Sequence, residues 1–425
     1  MDAASAPSSS AARRRPAGVR IPLLLRTMNR LGRLAETFGA RPPLPNLDRA
    51  LAEAQSRVGL SDLGHPSFCQ HFGAFVDAFC REARPTLFGH LGALQEVQRV
   101  ALQRLHFVEA MKRDPIRAAG PRRAPVFIIG FPRTGTTLLH NLLAGHPSLR
   151  APLMWEIHTP MPLGLGSVDA RRQIGETLIK RTHFALPGLQ AIHPMHADWP
   201  DECVWLFALT GLSIQLDLRY DLPSWRGDLL SADWGPPVDA YAAMLGLLED
   251  DSERAWLLKA PSHLFRLGAL LRRFPDARFI WNHRDPRAFV ASCCSLYEHP
   301  RTLENRDVDP SRLGHAWFDL WGEALDGAIA ARRAVGEERF FDLSFAELMR
   351  APAATVGRIE AWLGLPADPA SASRVHGWLR EHPRDRHGTH RYGLDHYGLD
   401  EATVDRRMRP YLETFGEHAN ARPQG

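Results

Sequence analysis

The chain has 425 residues, of which 44% are hydrophobic and 24% charged, including 11 Trp and 20 Phe. This composition excludes a mainly disordered protein and is typical of a globular chain with a large core. The formal net charge is only +4, so the charge balance does not indicate a nucleic-acid partner.

The five cysteines are scattered along the chain: Cys69, Cys80, Cys203, Cys293 and Cys294. Their spacing fits neither a disulfide framework nor a CxxC metal site. The sequence has no run of about 18 apolar residues that would span a membrane, and no apolar segment typical of a secretory signal. We therefore expect a cytoplasmic protein without a transmembrane span.

The N-terminal part of the chain changes character near residue 19. Residues 1–18 are rich in Ala, Ser, Pro and Arg, which predicts a disordered tail. Residues 19–38 instead show apolar side chains at helical spacing, with arginines away from them. The apolar set is Ile21, Leu24, Leu25, Met28, Leu31, Ala35 and Phe38, and the arginines are Arg26, Arg30 and Arg33. Such a helix can lie on an anionic membrane, although packing on its own domain is an open alternative.

The helical pattern continues to about residue 115. Three segments have helical length and spacing, and Gly, Pro and His residues separate them. They read "NLDRALAEAQSRV", "SFCQHFGAFVDAFCREA" and "LGALQEVQRVALQRLHFVEAMKR". We expect residues 19–115 to form a helical region that packs against the domain that follows.

From residue 120 the pattern alternates between short apolar strands and helices. The predicted strands lie in "APVFIIGF", "AWLLKAP", "ARFIWNHRDP" and "ERFFDLSF". Continuous apolar runs of this kind are typical of buried parallel strands. The sequence predicts an α/β fold over residues 120–415, a three-layer sandwich with a central, mainly parallel sheet.

The first predicted strand runs into "GFPRTGTTLLH", residues 130–140. Gly130 and Gly135 have the spacing of a nucleotide-binding loop, but Thr136 and Thr137 stand where that loop has Lys followed by Ser or Thr. Backbone N–H groups and a helix N-terminus surround one anion in such a loop, and Arg133 adds a charged fork. A phosphate that carries one further tetrahedral anion suits this P-loop-like segment better than a metal-bridged pair of phosphates.

A second anion site is indicated by "HRDPRAFVASC". Arg284 follows a predicted strand, and Ser292 lies about two turns into the next helix. Because the carboxyl ends of strands share one ligand crevice in an α/β sheet, Arg284 should face the loop of residues 130–137. In the alternative, Arg284 and Asp285 simply pair and cap the helix.

Together these segments resemble the PAPS-dependent sulfotransferases, of a bacterial branch similar in its loop to the tyrosylprotein sulfotransferases. The matching stretches follow in family order over residues 120–415: "PVFIIGFPRTGTTLLHNLLAGHP", "RAPLMWE", "HPMHADWPDECVWL", "WLLKAPSHL", "FPDARFIWNHRDPRAFVAS" and "HRYGLDHYGLDE". The resemblance implies transfer of a sulfuryl group from 3′-phosphoadenylyl sulfate (PAPS) to a hydroxyl. It also implies that the loop binds the 5′-phosphosulfate, that two residues bind the 3′-phosphate, and that "HGTHRYG" closes over the nucleotide. The implied cofactor-binding residues are Arg133, Thr134, Gly135, Thr136 and Thr137, then Arg284 and Ser292, and finally His390 and Arg391.

In-line transfer needs a base for the acceptor proton and positive charge for the leaving phosphate. The resemblance places a glutamate where Glu156 stands, and Glu156 is our expected base, unless it only caps a helix or forms a salt bridge. Lys259, one of only three lysines, and Arg133 are expected at the transferring group. His263 is a further candidate for the base. The scheme requires no metal.

The segment "HPMHADWPDEC" is a competing source of the base, or a site that orients the acceptor. It contains His193, His196, Asp198, Asp201 and Glu202, in a spacing that fits no standard metal motif. We expect a small-molecule, lipid or carbohydrate acceptor, and favour a hydrophobic alcohol. The alternatives are a P-loop kinase or NTPase with an aberrant loop, and a nucleotide-binding scaffold without activity.

Overall fold

The computed structural model describes residues 19–161, 168–189, 194–382 and 393–419. The tail predicted for residues 1–18 therefore lies outside the described residues. The same holds for three of the expected site residues, His193, His390 and Arg391.

The sheet consists of five parallel strands in the order β2-β3-β1-β4-β5. The strands are β1 (Val126–Gly130), β2 (Leu149–Arg150), β3 (Ala255–Lys259), β4 (Arg278–His283) and β5 (Phe340–Ser344). After β1 the chain builds one side of the sheet with β2 and β3, and then crosses to the other side for β4 and β5. The strand order thus reverses at β1, and the crevice beyond its carboxyl end is where α/β proteins bind ligands.

Alternate residues of the central strands enter two different cores. Ile128 and Leu257 belong to a smaller core on one face, whereas Phe127 and Trp281 belong to a larger core on the other. The smaller face is covered by helices Thr136–Ala144, Pro352–Leu363 and Ser371–Glu381, and the larger one by helices Gly235–Leu248, Leu267–Arg273, Pro286–Glu304 and Pro310–Val335. The predicted three-layer α/β fold is confirmed, with every strand pair parallel.

The N-terminal helices extend the larger core. Phe72, Phe75 and Val100 are fully buried in the same apolar cluster as Phe127. The helical region and the sheet therefore share one core. The helices of this region are Leu23–Thr37, Leu47–Val58, Ser67–Glu82, Leu87–Arg113 and Pro115–Ala118.

Short elements connect and close the layers. The remaining helices are Met154–His158, Val168–Ala185, Ile214–Arg219, Pro223–Ser231, Phe345–Arg350, Glu401–Arg407 and Arg409–Ala419, with 3₁₀ turns at Cys203–Thr210, Pro261–Arg266 and Asp395–Tyr397. Within the described ranges, no helix combines the length and apolarity that crossing a membrane requires.

Candidate active site

The loop between β1 and helix Thr136–Ala144 has an unusual backbone. Gly130, Arg133 and Gly135 have φ of 133°, 68° and 87°. A Cβ on Gly130 would lie 2.5 Å from the backbone oxygen of Asn282, and one on Gly135 would lie 2.9 Å from Cδ2 of Phe345. Both positions therefore require glycine. Arg133, which is not glycine, holds a left-handed conformation of the kind that concentrates at functional sites.

Neighbouring elements hold this loop in place. The Thr134 hydroxyl donates to the Phe131 carbonyl at 2.7 Å. Asn282 Nδ2, at the end of β4, donates to the Thr134 carbonyl at 3.3 Å, and the Cys293 thiol donates to the Pro132 carbonyl at 3.2 Å. Thr134 is fully buried, so its side chain shapes the loop.

The loop meets the second expected anion site directly. Arg133 Nε donates to Ser292 Oγ at 3.1 Å, and Arg284 Nη1 donates to the Arg133 carbonyl at 2.7 Å. The Arg284 guanidinium lies over the Phe345 ring, 4.3 Å from its centroid. Asp285 accepts a hydrogen bond from Arg287 N at 2.9 Å and caps the helix, while Arg284 turns to the loop. The structure thus joins Arg133, Arg284 and Ser292 in one place.

This place carries concentrated positive charge. Burial, together with the neighbouring Arg133, lowers the pKa of Arg284. Two guanidiniums that face one crevice repel each other, and an anion between them relieves this repulsion. The N-terminus of helix Thr136–Ala144 adds its own partial positive charge. The arrangement is chemically suited to bind a ligand with more than one anionic group.

Lys259 lies at the end of β3, next to the same loop. Its Nζ donates to Thr137 Oγ1 at 3.2 Å and to Glu202 Oε1 at 2.9 Å. The Lys259 side chain is 1% exposed and that of Glu202 is 25% exposed. A buried ammonium requires partners of this kind. Lys259 and Glu202 therefore form a charged pair in contact with the first turn of the loop's helix.

Glu156 has a different environment. Its Oε1 accepts from Arg150 Nη2 at 2.7 Å, and its Oε2 accepts from Leu153 N at 2.9 Å. It thereby caps the short helix Met154–His158. Both carboxylate oxygens are occupied by structural partners, which favours the alternative that Glu156 is a capping and salt-bridging residue.

His263 lies inside the larger core. It is fully buried, its Nε2 is 3.1 Å from Cys203 Sγ, and the rings of Phe127 and Tyr241 pack against it. Burial and the nearby Arg266 lower its pKa well below the usual range. These contacts argue against the expectation that His263 receives the acceptor proton.

The described His, Asp and Glu residues of the segment "HPMHADWPDEC" have different partners. His196 is exposed, and its Nδ1 accepts from Asp198 N at 3.2 Å. Asp198 Oδ1 accepts from Arg172 Nε at 2.8 Å, and Asp201 Oδ1 accepts from Glu202 N at 2.6 Å. Of these residues, Glu202 is the one that contacts Lys259. No cluster of three or more His, Cys, Asp or Glu side chains suited to a metal occurs in the described part of the chain.

Two contacts at the site were not predicted. The Phe345 ring stacks against the Arg284 guanidinium, and the Tyr411 hydroxyl accepts a hydrogen bond from Arg284 N at 3.3 Å. Phe345 directly follows β5, so the end of a predicted strand was the available signal. Tyr411 comes from the helix Arg409–Ala419, where no motif marks it.

The fold and the loop define an α/β protein with a candidate anion-binding site at the point where the strand order reverses. A family model described as "Sulfotransferase family" matches residues 125–369, which is more than half of the chain. The chain therefore belongs to the sulfotransferase family, and it is an enzyme.

Mycobacterial proteins are among those similar to this chain. Two relatives named omega-hydroxy-beta-dihydromenaquinone-9 sulfotransferase Stf3, from Mycobacterium bovis and Mycobacterium tuberculosis, are each 27% identical over 271 residues, which is 61% of this chain and 67% of the relative. The structure of sulfotransferase STF1 from Mycobacterium tuberculosis is 29% identical with a TM-score of 0.76, and covers 87% of this chain and 100% of STF1. That of STF9 from Mycobacterium avium is 28% identical with a TM-score of 0.79, and covers 88% of this chain and 98% of STF9.

Proposed function

We propose that this sulfotransferase moves a sulfuryl group from PAPS to the hydroxyl of an apolar, lipid-like acceptor. The hydrogen bond from Arg133 to Ser292 supports this proposal most directly. This hydrogen bond joins the loop of residues 130–137 to the second site. That site consists of the Arg284 guanidinium, which follows β4, and the Ser292 hydroxyl in helix Pro286–Glu304. A donor with phosphate groups at both its 5′ and 3′ positions uses both sites, whereas ATP uses only the first.

The loop chemistry supports the same donor. A loop that holds the β- and γ-phosphates of ATP uses a lysine within the loop and a metal ion. Here the loop has Arg133, and the lysine comes from β3 as Lys259. Arg133 and the loop N–H groups would hold the 5′-phosphosulfate, and Arg284 with Ser292 would hold the 3′-phosphate.

The charged side chains near Thr137 account for how the proposed transfer would proceed. The acceptor oxygen forms a bond to sulfur while the bond between sulfur and the bridging phosphate oxygen breaks. The products are a sulfate ester and adenosine 3′,5′-bisphosphate. Negative charge grows on the bridging oxygen, and Lys259 and Arg133 are the cations placed to stabilise it.

We assign the acceptor proton to Glu202 rather than to Glu156. A general base must lie within hydrogen-bond reach of the reacting group, and Glu202 shares Lys259 with the loop residue Thr137. The partial exposure of Glu202 leaves it open to an acceptor. His196 and Asp198, in the segment that leads to Glu202, remain candidates for acceptor binding.

The acceptor class rests on similarity to the relatives. The name of the Stf3 relatives gives an omega-hydroxylated dihydromenaquinone as their acceptor. At 27% identity we carry over the class only, a hydroxyl on an apolar lipid.

We also propose a cytoplasmic location. All five cysteines are present as free thiols, and Cys203, Cys293 and Cys294 are buried. Free thiols are typical of a reducing compartment.

Turnover tests the proposal. The purified full chain is incubated with PAPS and, in separate reactions, with a detergent-dispersed omega-hydroxylated menaquinone, a long-chain alcohol, a phenol and a sugar. Mass spectrometry should show the lipid alcohols gaining one sulfate while adenosine 3′,5′-bisphosphate accumulates, and Arg133→Ala should abolish both signals. A sugar that is sulfated in preference to the lipids would overturn the acceptor class, and absence of bisphosphate with every acceptor would overturn the reaction.

A further inference from the structure

The first helix, Leu23–Thr37, is firmly attached to the protein along one side. Leu25 is buried in an apolar cluster with Ala185, Leu186 and Leu303. Asn29 Oδ1 accepts from Phe88 N at 3.0 Å. Gly32 packs so closely that a Cβ there would lie 2.7 Å from Leu87 Cβ.

An ion pair fixes the end of the same helix. Arg306 Nη1 donates to Glu36 Oε2 at 2.9 Å, and the pair is mostly shielded from solvent. The helix is therefore held in one orientation, and the side that points away from the protein is defined.

That outer side is apolar. Leu23, Leu24, Leu31, Leu34 and Phe38 are between 56% and 81% exposed. At about 100° per residue they form one continuous row, on a different side of the helix from Leu25, Asn29 and Gly32. We call this row the leucine face. Contiguous exposed apolar surface of this kind marks an interaction site.

Exposed arginines border the leucine face. Arg26, Arg30 and Arg33 lie along one edge of the row, and all three are exposed. A row of Leu and Phe beside a row of Arg is the pattern of a helix that lies in the plane of a membrane interface. The apolar side chains enter the acyl boundary, and the guanidiniums bind anionic headgroups.

We propose that the leucine face docks this protein on the surface of a membrane that contains anionic lipids. The sequence grouped Leu25 and Met28 with the membrane-facing residues, but Leu25 packs on the protein. The two alternatives left open by the sequence thus describe opposite sides of one helix.

Two helices lead from the attached side of helix Leu23–Thr37 toward the active site. Helix Val168–Ala185 has Ala185 in the cluster of Leu25, and its Arg172 pairs with Asp198. Helix Pro286–Glu304 has Leu303 in the same cluster, and Ser292 at the anion site. At about 1.5 Å per residue these helices measure roughly 16 to 20 Å between the two points, and the leucine face lies across helix Leu23–Thr37, roughly 10 Å further out.

A lipid that spans the bilayer core of about 30 Å is long enough to cover that distance. An acceptor can then present its hydroxyl to the crevice while part of its chain stays in the membrane. The proposal of membrane docking depends on the leucine face alone. The role of docking in acceptor delivery also rests on the function proposed above.

The test is co-sedimentation of the full chain with vesicles of phosphatidylcholine, with and without phosphatidylglycerol. Wild type should bind the anionic vesicles, and added salt should weaken the binding. The triple variant Leu24→Ser, Leu31→Ser, Phe38→Ser should bind about a hundredfold more weakly. The variant Arg26→Gln, Arg30→Gln, Arg33→Gln should lose a similar factor on anionic vesicles only.

Ile116→Ser is the matched control, because Ile116 is 86% exposed on another helix. It should leave vesicle binding unchanged. Equal melting temperatures of the variants exclude unfolding as the cause. Vesicle binding that is absent in wild type, or unaffected by the leucine-face variant, would overturn the proposal. So would sedimentation showing a wild-type dimer that the same variant makes monomeric, because a second copy would then cover the face.

Acceptor delivery is measured separately. With a vesicle-embedded lipid alcohol, the leucine-face variant should lose at least tenfold in turnover and keep its affinity for adenosine 3′,5′-bisphosphate. Vesicle binding without any bisphosphate binding would overturn the proposed function and leave membrane docking intact.

Discussion

Lys259 Nζ lies 2.9 Å from Glu202 Oε1 and 3.2 Å from Thr137 Oγ1. A cation and a carboxylate are thus held together at the first turn of the helix that follows the anion loop. In an in-line displacement, one of two opposite charges can act on the leaving oxygen while the other acts on the attacking oxygen. In the proposed transfer, the cation would stabilise the leaving oxygen and the carboxylate would accept the proton of the attacking one.

Replacing Glu202 should affect chemistry rather than binding. We expect Glu202→Gln to lower kcat by about 10²-fold or more, since general base catalysis contributes factors of this size. Affinity for adenosine 3′,5′-bisphosphate should stay within a few-fold of wild type. Steady-state kinetics and calorimetry measure the two quantities.

Glu156→Gln is the matched comparison. Because Glu156 pairs with Arg150 and caps its helix, we expect a lower melting temperature and a kcat per folded molecule close to wild type. A large loss of kcat in this variant, with Glu202→Gln active, would return the base to Glu156.

Arg284 should discriminate between nucleotides. We expect Arg284→Ala to weaken adenosine 3′,5′-bisphosphate about 10- to 100-fold, because one charge-assisted contact to the 3′-phosphate is lost. Adenosine 5′-monophosphate should change much less. Arg287→Ala is the control, since Arg287 lies in the first turn of the helix that follows Arg284 and pairs with Asp405. Equal losses for both nucleotides would place Arg284 outside the 3′-phosphate site.

The loop backbone gives a third prediction. Gly135→Ala places a Cβ 2.9 Å from Phe345 at φ 87°, and should reduce bisphosphate affinity at least tenfold by distorting the loop. Gly145, at the other end of the same helix, has a φ of −75° and faces a flexible arginine side chain. Gly145→Ala should therefore bind normally. Normal binding by Gly135→Ala would show that the loop does not need this conformation.

Stability should decrease in mild acid. Burial, and then the charge of Lys259, lower the pKa of His140 to about 3, from about 6.5 in the unfolded chain. Below pH 6.5 only the unfolded state takes up this proton, so the free energy of unfolding falls toward pH 3, by up to about 1.4 kcal/mol per pH unit. Above pH 6.5 the contribution is constant.

Urea unfolding at several pH values checks this. In His140→Gln, the free energy of unfolding should fall less steeply with decreasing pH, by an amount that corresponds to nearly one proton. This should hold even if the stability of the variant at pH 8 is lower. His158 and His283, whose pKa values burial lowers to about 3 and about 4, should keep part of the slope. An unchanged slope would mean that His140 does not contribute.

The sequence was most informative where local pattern determines structure. The apolar runs predicted β1, β3, β4 and β5. The meeting of Arg133 with Arg284 and Ser292 also followed, because parallel strands end at one edge. The two-residue strand β2 was missed, since it is too short to show a period.

Side-chain partners were beyond sequence reasoning. Glu202 and Lys259 are 57 positions apart, and their contact depends on how the turn Cys203–Thr210 packs against the sheet. Glu156 matched the pattern expected of a base, yet its partner is Arg150, six residues earlier. Which side of helix Leu23–Thr37 faces solvent likewise depends on contacts with distant residues.

We propose that the crevice beyond β1 holds a nucleotide with phosphates at the 3′ and 5′ positions of its ribose. Calorimetric titration of the full chain with adenosine 3′,5′-bisphosphate, and separately with ATP and Mg²⁺, tests it directly. We predict that the bisphosphate binds more tightly and that Mg²⁺ does not change its affinity. Tighter binding of ATP with Mg²⁺, or no binding of the bisphosphate, would show that the crevice does not hold this donor.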